Sequence, residues 1–117
     1  MNTNDLYSTL LDLPNIKITE VVLSKNKIDI HCETETKSCK CTICKQETSC
    51  IHQSTTRVLR DLNMGSREVY LHVTTRQFYC SDCHHYFHEE LPFASPNVGH
   101  THRQSEFMFL VTQQQSY

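Results

Sequence analysis

The sequence predicts a small, mainly β domain of α+β class, with an N-terminal β-hairpin and a short helix at each end. Three observations predict it. From Arg67 to Tyr79, Val69, Leu71 and Val73 alternate with Tyr70, His72 and Thr74, which is the period of a half-buried strand. A second alternation, Ile28, Ile30 and Cys32 against Asp29 and His31, follows the β-branched run Ile16 to Leu23. Two Cys-x-x-Cys pairs, Cys41/Cys44 and Cys80/Cys83, then bracket the stretch that holds the cleanest strand.

Taken in order, Asn4 to Leu13 carries Leu6, Leu10 and Leu13 behind Asn4 as a cap and stops at Pro14. This is a short amphipathic helix, because proline disfavours helical geometry in the residue before it. Ile16 to Leu23 and Lys27 to Glu33, joined by Ser24 to Asn26, read as a hairpin with one buried face. Thr34 to Cys50 has neither period, so its shape should be set by a ligand rather than by packing. Arg57 to Leu62 is a short basic strand. Asn63 to Ser66 is a turn in which Gly65 is free to take positive φ. After the Arg67 to Tyr79 strand comes the second cysteine pair and a short returning strand at Tyr86 and Phe87. Leu91 to His102, with Pro92, Pro96 and Gly99, reads as a linker. Gln104 to Val111 places Phe107, Leu110 and Val111 at helical spacing.

Composition narrows the chemistry. The chain has 117 residues, seven cysteines, eight histidines, no tryptophan and a net charge of −2 with histidines neutral. One modest core is expected at this size. No segment has the roughly 18 apolar residues of a membrane helix. Met1 to Pro14 has Asp5 and Asp12 and no basic residue, unlike a secretory signal. The expectation is a cytoplasmic protein, where thiols stay reduced. An odd cysteine count with two Cys-x-x-Cys pairs then points to metal rather than a disulfide framework.

A two-residue gap lets two thiolates of one tight turn converge on a metal, about 2.3 Å from zinc. Two such turns supply a closed tetrahedral site, so Cys41, Cys44, Cys80 and Cys83 are the candidate ligands of one structural zinc ion. With a strand returning the chain to the first turn, the arrangement is a zinc ribbon. A thioredoxin-like role would need a βαβ context that neither pair has. Four cysteines also leave no open position for a catalytic water. Cys39 is a possible substitute for Cys41, and one of His84, His85 and His88 for Cys83, or these histidines orient the thiolates from outside. Cys32 fits a small buried apolar role. Cys50 and His52 have no assigned role.

From Cys41 onward, the order of features resembles the zinc-binding N-terminal domain of the ISL3-family transposases. After the first pair come His52, Arg57-Val-Leu-Arg60-Asp61-Leu62, Gly65, Arg76-Gln-Phe78-Tyr-Cys80, Cys83, Phe87 and Glu89-Glu-Leu91-Pro92. The Leu10 to Pro14 stretch and the Ile16 to Ile30 hairpin also resemble the family's opening. The knuckles depart from the family's Cys-Pro-x-Cys-Gly, having Thr42, Lys45, Ser81 and His84 at those places. The resemblance implies a zinc domain that precedes a helix-turn-helix and a metal-dependent catalytic domain. These later parts are not among the 117 residues, so the chain itself is expected not to be an enzyme. The expected organisation is residues 1–35 as helix and hairpin packed on the ribbon, 36–93 as zinc ribbon, and 94–117 as linker and the start of a helix-turn-helix-like segment.

Two functions follow as expectations. In the first, Arg57, Arg60, Arg67 and Arg76, on adjacent strands, bind the phosphates of DNA at the element's ends, at the nucleoid. Paired guanidinium hydrogen bonds suit that contact and position a protein without reading sequence. Against it stand the net negative charge, where DNA-binding domains are usually basic, and the ordinary patterning of Arg60 beside Asp61 and Arg67 beside Glu68. In the second, the ribbon is a platform for protein partners or self-association, with Tyr7, Tyr70 and Phe93 as exposed aromatics. Asp61, Asp82, Glu89 and Glu90 form no recognisable catalytic set, and no Gly-rich phosphate loop is present. Neither a membrane nor a small-molecule substrate is expected.

Overall fold

The computed structural model describes residues 2–114. Helix α1 spans Thr3–Leu11, and its cap is Asn2 rather than the expected Asn4. The Asn2 side chain accepts the Asp5 N–H at 2.8 Å. The shift moves the buried stripe: Leu11 is enclosed, Tyr7 and Leu13 are half-buried against the core, and Leu6 and Leu10 face solvent. Asp12 closes the helix in the left-handed region.

The predicted hairpin is present as β1 (Ile16–Leu23) and β2 (Lys27–Thr34), antiparallel, with a bulge between Ile18 and Glu20. Two short strands, β3 (Cys39–Lys40) and β4 (Glu47–Thr48), pair across the first cysteine turn. The basic segment is longer than its sequence suggests: β5 runs Ile51–Met64 and pairs antiparallel with β6, Arg67–Cys80. Gly65 makes the turn between them at φ +63°. Strand β7, His85–His88, returns against the end of β6.

The sheet order is β1-β2-β6-β5, with β7 also on β6. β2 pairs parallel with β6, Ile28 to Val69 through Glu33 to Thr74. Thus β2 and β7 share one edge of β6, and β5 lines the other. The body is a slab of 52 × 42 × 18 Å. One face of the sheet buries Ile28, Ile30, Leu59, Val69, Leu71 and Val73 under α1 and the 91–94 segment.

That last segment is packed rather than a free tether. Leu91, Phe93 and Ala94 are buried, so Phe93 is not the exposed aromatic expected of it. Arg60 N–H donates to Gly99 C=O, and Thr101 N–H to Arg60 C=O, so residues 99–101 continue the sheet beyond β5. Helix α2, His102–Gln114, begins two residues before the expected Gln104. Its start is fixed by a buried carboxylate. Asp61, 1 % exposed, accepts the Thr101 hydroxyl at 2.7 Å and Arg103 Nε at 2.8 Å, with a second bond from Arg103 Nη2. Arg103 also donates to Leu11 C=O at 2.7 Å, tying both helices to β5. Burial alone would raise the Asp61 carboxyl. The hydrogen bonds from Arg103 and Thr101 outweigh it and hold the group below its ordinary range.

Candidate metal centre

The two cysteine pairs lie at opposite ends of long strands in sequence but meet at one end of the slab. Cys41 leaves β3 into a tight turn closed by Lys45 N–H to Cys41 C=O, and Cys41 N–H bonds Gln46 C=O. Cys80 ends β6, and Cys83 precedes β7 in the second turn. β5 and β6 carry the chain from one turn to the other. Tyr79 N–H donates to Cys50 C=O, and Thr48 hydroxyl to Tyr79 C=O, which fixes the first turn against the second.

The Sγ atoms of Cys41, Cys44, Cys80 and Cys83 all lie within 4.8 Å of one another, and Cys44 and Cys80 are 3.6 Å apart. A tetrahedron with bonds of about 2.3 Å sets its sulfur atoms about 3.8 Å apart. The cluster therefore fits one zinc ion without rearrangement of the backbone. Cys41 and Cys80 are buried, whereas Cys44 and Cys83 are half-buried. Phe78 and Phe87, stacked at 5.9 Å between ring centroids, form the apolar floor beneath them.

The thiols are unequal. Backbone N–H groups of Cys44 and Ile43 point at Cys41 and, against its burial, draw it down to about 7; the Ile43 N–H lies 3.4 Å from Sγ. Hydrogen bonding to Cys44, with burial and the neighbouring sulfurs, pushes Cys83 up to about 12. Four thiols this close cannot all ionise unaided, and a divalent cation is the group that resolves the conflict. Such a site is closed: four protein ligands leave no position for substrate or water.

The other candidates fall outside this set. Cys39 packs against the cluster but is not one of the four converging thiols. Cys32 is buried in the sheet core, as its alternation implies, and burial pushes its thiol up to about 11. Cys50 is exposed. His85 lies 3.1 Å from the Thr42 hydroxyl and His84 3.1 Å from that of Tyr79, so neither joins the sulfur cluster.

The four arginines lie on the adjacent strands expected of them, yet they do not share one face. Arg57 donates to Ser95 and Val98 C=O at 2.8 and 3.0 Å, on the side of the 91–101 segment. Arg60, three residues on, projects from the opposite face, over the Tyr70 ring at 5.5 Å and 3.9 Å from Glu68. Arg67 donates from Nε to Ser24 C=O, and Arg76 lies 3.7 Å from Glu33. Nine residue steps along β6, roughly 30 Å, separate Arg67 from Arg76. Tyr70 donates to Glu68 and is half-buried.

Sequence reasoning missed two polar anchors. One is the Asp61–Thr101–Arg103 group. The other is Glu89, which accepts the Thr34 hydroxyl at 2.8 Å and Arg76 N–H at 2.9 Å from a buried position. Each stands two residues after a buried apolar one, Asp61 after Leu59 and Glu89 after Phe87. For Asp61 that spacing, which puts it on the same buried face of β5 as Leu59, was the available signal, but it names no partner; Glu89 lies just past the end of β7.

Residues 37–83 match the family described as the zinc-finger of transposase IS204/IS1001/IS1096/IS1165. The match runs from just before the first cysteine pair to the last cysteine of the second. It identifies this stretch as a zinc-finger domain and no part of the chain as a catalytic one. No curated protein and no solved structure matches the chain. Among the described residues, no helix is long and apolar enough to cross a membrane.

Proposed function

We propose that this chain serves DNA transposition as a non-catalytic zinc domain. Cys41, Cys44, Cys80 and Cys83 hold one structural zinc, and the domain touches DNA at the element's ends. The observation that carries the reading is that the four-thiol cluster falls within the stretch that matches a transposase zinc finger. When bound, zinc supplies neutralisation of the thiolates and a fixed cross-link between two turns; the chain's own residues do the rest.

For phosphate contact, Arg57 and Arg67 are the better placed of the four. Arg57 uses only Nη2 and Arg67 only Nε for their backbone bonds, which leaves N–H groups on each guanidinium. Arg60 and Arg76 stand against Glu68 and Glu33, which offset their charge. The test is fluorescence anisotropy of zinc-loaded protein with labelled duplex DNA at low and moderate salt. Binding should weaken as salt rises, by counterion release, and should be lost when Arg57, Arg60, Arg67 and Arg76 are changed to alanine in a protein that still holds zinc. Salt-independent binding, or binding unchanged in that variant, would refute the arginine contact.

One observation favours a second reading, a platform for protein partners. Phe107, Met108, Phe109 and Leu110 of α2 are all 44–61 % exposed. A helix apolar on several sides normally packs against something. Concentration-dependent self-association without DNA, measured by sedimentation, would support this reading over the first.

A further inference from the structure

Strands β5, β6 and β7 carry two different surfaces at the metal end. Phe78 and Phe87 face the cysteines and are buried. By the alternation of the pleat, their neighbours Tyr79 and Tyr86 face the other way. These two are cross-strand partners with ring centroids 4.8 Å apart and planes at 41°. His52 of β5 adds a third ring, 4.6 Å from Tyr86 and tilted by 53°. His84 Nδ1 lies 3.1 Å from the Tyr79 hydroxyl, and one step along the pleat Gln77 pairs with His88. The patch thus consists of His52, Gln77, Tyr79, His84, Tyr86 and His88. Every one is a planar side chain with a hydrogen-bonding atom, and none is acidic.

Cross-strand aromatic pairs stabilise a sheet by up to about 1 kcal/mol, and that role alone would be served by enclosed rings. Most of these rings are open. Tyr86, which touches both His52 and Tyr79, is 49 % exposed, His52, His84 and His88 are exposed, and Tyr79 is half-buried. The tilts of 41° and 53° open wedges between the rings rather than closing them into a stack. The chain carries two more acidic than basic residues; none of the six patch side chains is a carboxylate, and the exposed Glu90 lies at the His88 edge, away from Tyr86 and Tyr79 in the strand pairing. Its makeup, aromatic faces with polar tips and no aliphatic side chain, suits bases better than an apolar protein surface.

We infer that this surface is a stacking platform for the unpaired bases of single-stranded DNA, with the Tyr86 ring in contact with both His52 and Tyr79. Paired bases hide their faces in the duplex, whereas unpaired ones stack on aromatic side chains whatever their sequence. The inference rests on the transposition reading for its choice of DNA. It differs from that reading in using the rings of the metal end rather than the arginines.

The experiment uses the whole zinc-loaded chain with a fluorescently labelled mixed-sequence 20-nucleotide single strand, its duplex, and a single-stranded RNA of the same sequence. The wild type should bind single-stranded DNA about tenfold more tightly than duplex. Tyr86→Ala should weaken single-strand binding roughly tenfold, the loss of one stacked base, and Tyr86→Phe should restore it. Tyrosine emission, which no tryptophan masks in this chain, should be quenched by single-stranded DNA. Zinc content and circular dichroism confirm that each variant is folded, and His52→Ala gives a second variant at the patch edge. Duplex bound as tightly as single strand, or unchanged affinity in folded Tyr86→Ala, overturns the platform. Tighter binding of RNA overturns the choice of DNA. Duplex binding unchanged by the four arginine substitutions, with single-strand binding that depends on Tyr86, removes only the arginine contact; duplex binding lost with the arginines, with single-strand binding indifferent to Tyr86, removes only the platform.

Discussion

The two ends of the slab are held together by different physics. At the sheet end, Ile30, Leu59, Val69, Leu71 and Val73 have no exposed surface at all, and α1 and the 91–94 segment cover them. At the metal end, the buried cluster consists of Cys41, Phe78, Cys80 and Phe87. Two phenylalanines and two thiols are too little apolar area to order the two cysteine turns. The first end is stabilised by burial and the second by a ligand, although β5 and β6 run through both. Continuity of a strand does not make its two halves equally stable.

Removing zinc should give the largest effect and separate the ends. Apparent metal-binding energies of structural zinc sites are about 10–16 kcal/mol, far above what the metal end can supply alone. Chelation, or Cys44→Ser, should abolish amide-exchange protection in residues 39–50 and 80–88. Residues 28–33 and 68–74, paired in parallel within the core, should keep theirs. Uniform loss across both ends would show a single cooperative unit and break the comparison.

The Asp61–Arg103 pair anchors the sheet end, and breaking a buried pair costs about 3–5 kcal/mol. Arg103→Ala should fall near the lower limit, because Arg103 is 33 % exposed. Urea unfolding would read the loss, and zinc affinity should stay unchanged. The pH dependence has a definite sign. Asp61 is held below its ordinary value, so its contribution is complete above about pH 4 and is lost as pH falls through the lower folded value. Thiolates compete with protons for zinc at higher pH than that. Acid titration should therefore release zinc before the sheet end melts, as followed by a zinc dye and circular dichroism together.

Leu71→Ala tests the same end through packing. Leu71 lies on β6 between β2 and β5 and is fully enclosed, so the expected cost is about 3 kcal/mol. The zinc dissociation constant of the folded variant should not change. A loss of zinc affinity would mean that the core sets the geometry of the thiols.

This division also explains what the sequence disclosed. The hairpin and β6 were legible because one face of each is buried, so Ile28, Ile30, Cys32 and Val69, Leu71, Val73 keep a strict period. The four cysteines were legible because ligand spacing is itself a signature. The first half of β5 was not: residues 51–56 are exposed on both faces, and a strand without a buried face has no period to read. Leu91, Phe93 and Ala94 were hidden by Pro92 and Pro96, whose turn propensity says nothing about burial. The α1 cap moved from Asn4 to Asn2 because both residues are good caps, and the enclosure of Leu11 settles which turn comes first. The Arg103–Asp61 contact spans 42 positions, and neither residue's local sequence points to the other.

The smallest effect concerns two turns, one at each end. In the β5–β6 turn the left-handed position is taken by glycine, Gly65 at φ +63°, with open space where a β-carbon would stand. Gly65→Ala should therefore cost only the backbone strain, about 1 kcal/mol. At the metal end, the residues directly after each cysteine pair are also left-handed, Lys45 at φ 64° and His84 at φ 49°, and neither is glycine. A β-carbon in this region costs on the order of 1 kcal/mol, and zinc ligation is what holds the turn against it. Lys45→Gly should relieve that strain, while giving up an exposed bond from Lys45 Nζ to Thr42 C=O. Zinc should then bind several-fold more tightly in competition with a chelator, by roughly 1 kcal/mol less the added flexibility of glycine in the unfolded chain. Unchanged or weaker zinc binding would mean that the lysine is held there without strain, and that the metal end is less dependent on its ligand than its sparse core implies.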